Sequence, residues 1–250
     1  MPPPNPSSSS YPPARTLRAR LTRLLESAST EQRGEGEAWY PTARLFCEQV
    51  AAETGTPLVG VVGILSALSV AVEWELTKSQ TRTFCQQLGP LNLRTGYSTY
   101  MGQLLKAGAI KQLHDPYPSH VLEILGPRAW KTGAFFLTIL DPFDRRVPAV
   151  IDRRAVRALG VPEPRSKAQY MFLSSIYAHV SRRLGCYTSQ GQAIAWVCTP
   201  TLRPLILERN PHGPIENGNS RVHPDPERGL PPRVGSIERL ETPLDSVCPF

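Results

Sequence analysis

The sequence has no apolar stretch long enough to cross a lipid bilayer. The longest, residues 58–72, is interrupted by two glycines and two serines, and it falls short of the roughly 20 apolar residues that a spanning helix needs. The first residues also lack the charged, apolar and small-residue segments that mark a secretory signal. We therefore expect a cytoplasmic protein that does not bind a membrane.

Cysteine is scarce and dispersed along the chain. The five cysteines form no C-x-x-C pair, and no histidine lies near one at the spacing of a metal site. We therefore expect no structural metal and no other cofactor. We expect Cys47, Cys85 and Cys198 to be buried as small apolar side chains.

The central region lacks the sustained alternation of polar and apolar residues that is typical of a half-buried strand. Helical periodicity takes its place and predicts an all-α fold, a compact multi-helix domain. Sixteen of the 26 prolines lie within residues 1–14 and 200–250, and such segments bury too little apolar surface to fold. The sequence therefore predicts two disordered ends, one rich in proline and serine and one a proline-rich tail, around a helical domain at residues 15–199.

Turn and capping signals divide that domain into helices. The predicted helices cover residues 39–54, 58–71, 73–88, 95–107, 119–125, 128–140, 153–159 and 166–184, and a last helix begins near Ser189. Thr56 is the expected N-cap of the second helix, and S-x-x-Q capping boxes begin at Ser166 and Ser189. Because the second helix is apolar on nearly all sides, we expect it at the centre of the fold.

Charge favours an anionic partner. The chain carries a formal net charge of +7 and a pI near 9.4, which is typical of many nucleic-acid-binding proteins. The densest positive stretch holds Arg145, Arg146, Arg153, Arg154 and Arg157. These arginines either contact DNA or form a solvated basic face.

Residues 125–160 contain a pattern with a known counterpart. Lys131-Thr132 lies in the first turn of the helix predicted at residues 128–140, Ile151-Asp152 follows the next loop, and Arg157 comes shortly after. This pattern resembles the core of the helix-hairpin-helix DNA glycosylases, the endonuclease III superfamily. The resemblance implies the helix-hairpin-helix glycosylase fold, DNA as the partner, and base excision in DNA repair as the function.

The chain departs from that family pattern at three points. A single Gly126 followed by Pro127 stands where the family has Gly-x-Gly, with Ala129 at the position of the second glycine. Arg154 occupies the position of a histidine two residues after the aspartate. The family's cluster of four cysteines near the C-terminus is missing, so we expect no iron–sulfur cluster.

The resemblance also implies roles for individual residues. Asp152 would stabilise the positive charge that develops on the sugar when the bond to a flipped base breaks. Lys131 would attack the sugar carbon and form a Schiff base, which requires a neutral amine and therefore burial or cationic neighbours. Arg128 would join the five arginines named above in binding DNA.

A second resemblance covers about residues 39–199. Its parts are Ala67-Leu68-Ser69 before Trp74-Glu75, Ile151-Asp152-Arg153 before Ala155, and the run Gln192-Ala193-Ile194-Ala195-Trp196. In that order these motifs resemble those of a group of uncharacterised bacterial and phage proteins. That group supplies no activity, so the motifs indicate a shared fold without indicating its chemistry.

Each candidate residue also has a purely structural interpretation. Asp152 could serve only as the N-cap of the helix at residues 153–159, Lys131 could be a solvated surface lysine, and the tryptophans could belong to the core rather than stack on bases. Two further functions therefore stay open. One is a non-catalytic nucleic-acid-binding module, and the other is an interaction protein whose proline-rich tail binds a partner.

Overall fold

The computed structural model describes residues 11–87 and 97–199, and all regular secondary structure in these ranges is helical. The helices are α1 (Ala14–Glu26), α2 (Thr30–Thr54), α3 (Leu58–Leu68), α4 (Trp74–Gln86), α5 (Met101–Lys111), α6 (Pro118–Leu125), α7 (Trp130–Leu140), α8 (Arg153–Leu159), α9 (Lys167–Arg183) and α10 (Thr188–Cys198). The predicted all-α class is confirmed. Of the residues predicted to be disordered, 1–10 and 200–250 fall outside the described residues. Residues 11–14 are described: Tyr11 stacks on Phe172, and Ala14 begins α1.

One group of helices is built around α3. The helices α4, α5, α6 and α7 all pack against it, and every residue from Gly60 to Leu68 is buried. Gly63 permits the close contact with α6, because a Cβ at that position would lie 2.7 Å from Val121 Cγ1. The predicted central position of this helix is therefore confirmed.

The remaining helices form a second group. The helices α1, α8, α9 and α10 pack on one another, and the leucines of α1 at positions 17, 21 and 25 are fully buried. The long helix α2 packs against α10 and also against α3, α4 and α7. Since α2 contacts helices of both groups, it connects them.

The first turns of α2 were not predicted from the sequence. We placed its start at residue 39, whereas it begins at Thr30. Ser29 and Gln32 form a capping box there: the Gln32 N–H donates to Ser29 Oγ (3.1 Å), and the Ser29 N–H donates to Gln32 Oε1 (2.9 Å). The helix also continues through Pro41, a residue that removes one backbone donor.

Two boundary predictions in the first group are wrong. Pro57, not Thr56, is the N-cap residue of α3, and its side chain makes no capping hydrogen bond. The predicted helix at residues 95–107 corresponds to α5, which starts at Met101 after non-helical residues 97–100. It continues past the expected stop at Gly108, which is buried within the helix.

The capping box predicted at Ser189 is also wrong. Ser189 lies inside α10, where its hydroxyl donates to the carbonyl oxygen of Pro142 (2.5 Å). The N-cap position is Tyr187, whose N–H donates to Gln190 Oε1 (2.9 Å). In contrast, Ser166 caps α9 as predicted, because its Oγ accepts the Gln169 N–H (3.2 Å).

No single helix within residues 11–87 and 97–199 is both long enough and apolar enough to cross a membrane. The helices α2 and α3 are long and apolar enough only as a pair, across a bend of 118°. In this fold, α3 of that pair is enclosed by four other helices.

Gly36 allows α2 and α10 to approach closely, and we expect Gly36→Ala to destabilise the protein. A Cβ there would lie 2.6 Å from the backbone of Ile194. Overpacking of this kind costs about 1–3 kcal/mol or more, which exceeds the gain of up to about 1 kcal/mol from alanine over glycine in a helix. Urea unfolding of the full chain measures the difference.

Gly34→Ala in the same helix is the matched control. A Cβ at Gly34 meets no atom within 4 Å, so this variant should be as stable as the wild type or more stable by up to about 1 kcal/mol. Equal midpoints for the Gly34 and Gly36 variants would contradict the proposed tight contact.

Candidate functional site

The helices α6 and α7 form a hairpin whose connection depends on one glycine. Gly126 has a φ of +97°, a backbone conformation that favours glycine. Lys106 Nζ donates to the carbonyl oxygen of Leu125 (2.6 Å) and so satisfies an acceptor at the end of α6. A Cβ at Gly133 would lie 3.2 Å from Leu122 Cδ2, which shows how closely the two helices pack.

Arg128 and Lys131 lie at the turn of this hairpin and the first turn of α7. Both side chains are exposed, so they are available to an anionic partner. Because Lys131 is exposed, it lacks the buried surroundings that the proposed nucleophilic role calls for.

The segment that leads into α8 is fixed to α9 by hydrogen bonds. The Ala149 N–H donates to Ser174 Oγ (2.8 Å). Tyr170 Oη donates to the carbonyl oxygen of Ala149 (3.0 Å) and accepts the Ile151 N–H (3.2 Å). These contacts determine where the next residue, Asp152, leaves the core.

Asp152 is the N-cap of α8, as the sequence predicted. Its Oδ1 accepts the Ala155 N–H (2.8 Å), and the same oxygen accepts the indole Nε1–H of Trp196 (2.9 Å). The residue is half-buried. The bond from Trp196, which comes from the far end of α10, was not predicted.

Three buried tyrosines surround this carboxylate. Burial raises the pKa of Tyr170 to about 12 and also raises the pKa values of Tyr40 and Tyr177. The nearby negative charge of Asp152 contributes to the rise in all three pKa values. The tyrosines therefore remain protonated, neutral hydrogen-bond donors at neutral pH.

Aromatic rings from α2, α7 and α10 meet beside Asp152. We call Trp39, Tyr40, Phe135 and Trp196 the aromatic cluster. The Trp39 ring centroid lies 4.7 Å from that of Tyr40, 6.0 Å from that of Phe135 and 5.1 Å from that of Trp196. The two tryptophans are half-buried, so the cluster belongs to the core on one side and reaches the surface on the other.

The aromatic cluster extends from Asp152 to the helix that carries Lys131. Lys131 lies one helical turn before Phe135, on the same face of α7. Phe135 contacts Trp39, Trp39 contacts Trp196, and Trp196 donates to Asp152. Packed rings thus connect Phe135, one turn after Lys131, to Asp152.

The motifs noted at separate places in the sequence also converge here. Trp74, from the first motif, lies 5.0 Å from Trp39 between ring centroids. Asp152 comes from the second motif, and Trp196 ends the third. Nothing in their spacing along the chain indicates this meeting, because it depends on the packing of four helices.

Arginines on α8 flank an open depression. Arg153 and Arg157 are exposed and Arg154 is half-buried. Arg153 and Arg157 line a depression of about 530 Å³, together with Val156 and residues 160–163. Arg153 also pairs with Glu163 (3.3 Å) across it. Two arginines and one carboxylate, that of Glu163, therefore line the same depression on α8.

Arg145 and Arg146 lie in the loop between α7 and α8. The Arg145 guanidinium lies 4.8 Å from the ring centroid of Tyr187. Arg146 pairs with Asp144 (2.9 Å), and this hydrogen bond lowers the pKa of the Asp144 carboxyl. Arg145 therefore lies at the start of α10, where Tyr187 is the N-cap residue. Trp196 lies nine residues later, about 13 Å further along the helix.

The described cysteines act as apolar residues. Cys47 and Cys85 are buried, as predicted, and burial raises the pKa of the Cys85 thiol to about 11. Cys198 is only half-buried, which corrects its predicted burial: its position near the end of α10 leaves one side open. Among residues 11–87 and 97–199, no group of histidine, cysteine and acidic side chains could hold a metal ion.

Comparison with known proteins identifies a family for this chain but no activity. No curated protein and no solved structure matches it. Residues 5–203 match a family of unknown function, DUF7178, and this match covers the whole helical domain. The chain therefore belongs to the DUF7178 family.

Proposed function

We propose that this protein binds duplex DNA and removes a base by hydrolysis of its N-glycosidic bond, in a fold of the helix-hairpin-helix glycosylase type. The observation that carries the proposal is the position of Asp152. Its carboxylate is fixed at the start of α8 by Ala155 and Trp196 and is half-buried beside the aromatic cluster. A fixed anion in aromatic surroundings suits a transition state that carries positive charge.

The arrangement of the helices supports the same interpretation. A hairpin of two helices, α6 and α7, presents Arg128 and Lys131 at its turn. The helix α8, with Asp152 at its start, follows that hairpin after one loop. Lysine and aspartate thus begin two successive helices, which is the arrangement that the resemblance to the glycosylases implies.

The reaction follows from the charge of the carboxylate. As the bond between the sugar C1′ and the base nitrogen breaks, its electron pair leaves with the base and positive charge develops on the sugar. Asp152 stabilises that charge as an anion. A water molecule adds to C1′, and the proton that it loses ends on the departing base, so the overall step is a hydrolysis.

DNA binding would depend on basic side chains of α8 and of the hairpin formed by α6 and α7. Arg153 and Arg157 line the depression on α8, and Arg128 and Lys131 are exposed at the hairpin. Arginine binds phosphate through a planar fork of donors. These side chains would hold the sugar–phosphate backbone while the target base leaves the stack.

The experiment that tests the proposal is a base-release assay with the full chain. Duplexes that each carry one damaged or mismatched base are incubated with the protein and then heated in alkali, which cleaves the strand at any abasic site. Cleavage of at least one duplex at the modified position supports the proposal. Salt-sensitive binding to every duplex without cleavage would leave only the binding function.

Lys131 has its own test. If its amine attacks the sugar, borohydride reduces the resulting Schiff base and links protein to DNA. Because Lys131 is exposed, we expect water to be the nucleophile, with no cross-link in the wild type. A cross-link that the Lys131→Arg variant lacks would instead identify Lys131 as the nucleophile.

A second candidate function is non-catalytic nucleic-acid binding. It is favoured by one observation: the two hydrogen bonds on Asp152 Oδ1 make this residue a complete N-cap. In that case the basic surface binds DNA with little base preference and a steep dependence on salt. The base-release assay separates the two candidates, because only the first predicts an abasic product.

A further inference from the structure

Gln192 and Trp196 lie on one face of α10, four residues and one helical turn apart. They are the two ends of the run Gln192-Ala193-Ile194-Ala195-Trp196. The proposed reaction does not explain the role of this run. Each makes a side-chain hydrogen bond to a residue of another helix or cap. Trp196 donates to Asp152, and Gln192 Oε1 accepts the hydroxyl of Tyr40 (2.7 Å).

The tyrosines around Asp152 use their hydroxyl protons elsewhere. Tyr40 donates to Gln192, Tyr170 donates to the carbonyl oxygen of Ala149, and Tyr177 donates to the carbonyl oxygen of Ala155 (2.8 Å). Since all three pKa values are raised, these protons stay in place at neutral pH. The indole N–H of Trp196, in contrast, donates directly to the carboxylate.

Trp196 is itself held in position by packing. Its ring meets Trp39 nearly edge-on, with an interplanar angle of 89°, and lies 6.2 Å from Tyr40 between ring centroids. Tyr40 is buried, and its hydroxyl is fixed by the fully buried Gln192. Gln192 thus fixes the ring on which Trp196 packs, and Trp196 fixes the carboxylate.

We propose that Trp196 is the positioning residue of the candidate site: its indole N–H binds Asp152 Oδ1 and so directs the carboxylate towards the sugar. The inference rests on the proposed base excision. An indole nitrogen can only donate, and a bond to an ionised acceptor is stronger than one between neutral groups. With Oδ1 held by Trp196 and Ala155, rotation of the carboxylate is prevented before the substrate arrives.

The test uses two duplexes that need no knowledge of the natural lesion. One carries a pyrrolidine in place of a sugar, which is a cation at neutral pH, and the other carries a neutral tetrahydrofuran. A site that stabilises a cationic sugar binds the first more tightly. We expect Trp196→Phe to lower this preference by at least about 5-fold, because a hydrogen bond to a charged group is lost.

Two further variants distinguish positioning from a general loss of structure. Trp74→Phe is the matched control, because Trp74 also packs on Trp39, and it should keep a preference closer to that of the wild type. In the Asp152→Asn background, Trp196→Phe should cause no further loss. The inference would be overturned if Trp196→Phe lowered the preference for pyrrolidine equally in the wild-type and Asp152→Asn backgrounds. It would also be overturned if Trp74→Phe lowered this preference as much as Trp196→Phe does.

The contact can also be observed directly in the full chain. With ¹⁵N-labelled tryptophan, Trp196→Phe identifies the Trp196 indole resonance, and Asp152→Asn should shift it more than those of the other three tryptophans. If that resonance does not move, or if Trp196→Phe keeps the full preference for pyrrolidine, positioning by Trp196 is wrong and base excision stands. If the wild type shows no preference for pyrrolidine, the proposed function is wrong and the inference is overturned with it.

Discussion

Asp152→Asn is expected to lower the single-turnover rate of base release by on the order of 100- to 1,000-fold, the usual effect of removing one electrostatic group that stabilises a transition state. Asparagine keeps the oxygen that accepts the Ala155 and Trp196 hydrogen bonds but loses the negative charge. The folded structure should therefore survive while the chemistry is lost. Single-turnover measurements on a duplex that the wild type cleaves give the rate.

Asp152→Ala provides the comparison for this experiment. Alanine removes the cap as well as the charge, which costs about 0.5–2 kcal/mol of stability, so only this variant should unfold at lower urea concentration. If Asp152→Asn released base at the rate of the wild type, Asp152 would be an N-cap and nothing more. That result would favour the non-catalytic binding module.

Replacement of both Arg153 and Arg157 by alanine is expected to weaken duplex binding and its dependence on salt. The slope of log affinity against log salt is negative, and each arginine–phosphate contact that is lost makes it less steep by about 0.9. The slope of the double variant should therefore be less steep by about 2. Both residues line the depression on α8. Fluorescence anisotropy with a labelled duplex across a salt series measures the change.

The control for that experiment removes the same amount of charge elsewhere. Arg15 and Arg23 are exposed on α1, and their double replacement by alanine should change the slope much less. A second pair, Arg145 and Arg146, tests whether the loop before α8 also contacts DNA. Equal slopes for the α1 pair and the α8 pair would show that net charge alone governs binding.

The local features of the candidate site could be predicted from the sequence. Asp152 precedes a short helix that ends at Gly160, and both boundaries follow from capping rules that involve only neighbouring residues. The apolar centre of α3 and the stop of α9 near Gly185 follow from composition in the same way. Such signals act over a few residues, so one sequence is enough to reveal them.

The partners of those residues could not be predicted, because they come from distant parts of the chain. Trp196 reaches Asp152 across 44 residues, and Tyr40 reaches Gln192 across 152. Gln192 illustrates the resulting error. Its spacing from Ser189 indicated a local capping box, but the fold places it in the core, where Tyr40 is its partner.

Two helical segments show a different kind of failure. The leucines spaced by four at positions 17, 21 and 25 are a helical signal for α1, although no helix was predicted there. The first turns of α2 contain Gly34 and Gly36, and Pro41 follows. Glycine and proline have low helix propensity, so the local sequence does not indicate a helix there. Packing on α10 outweighs that local preference, and Gly36 itself makes the packing possible.

The most direct test of the central claim asks whether Asp152 recognises a cationic sugar in DNA. The full chain is titrated with the pyrrolidine duplex and the tetrahydrofuran duplex, for the wild type and for Asp152→Asn. We expect the wild type to bind the pyrrolidine duplex at least about 10-fold more tightly than the tetrahydrofuran duplex, and we expect the variant to bind both equally. Equal affinity of the wild type for the two duplexes would contradict the claim that Asp152 is the reactive centre.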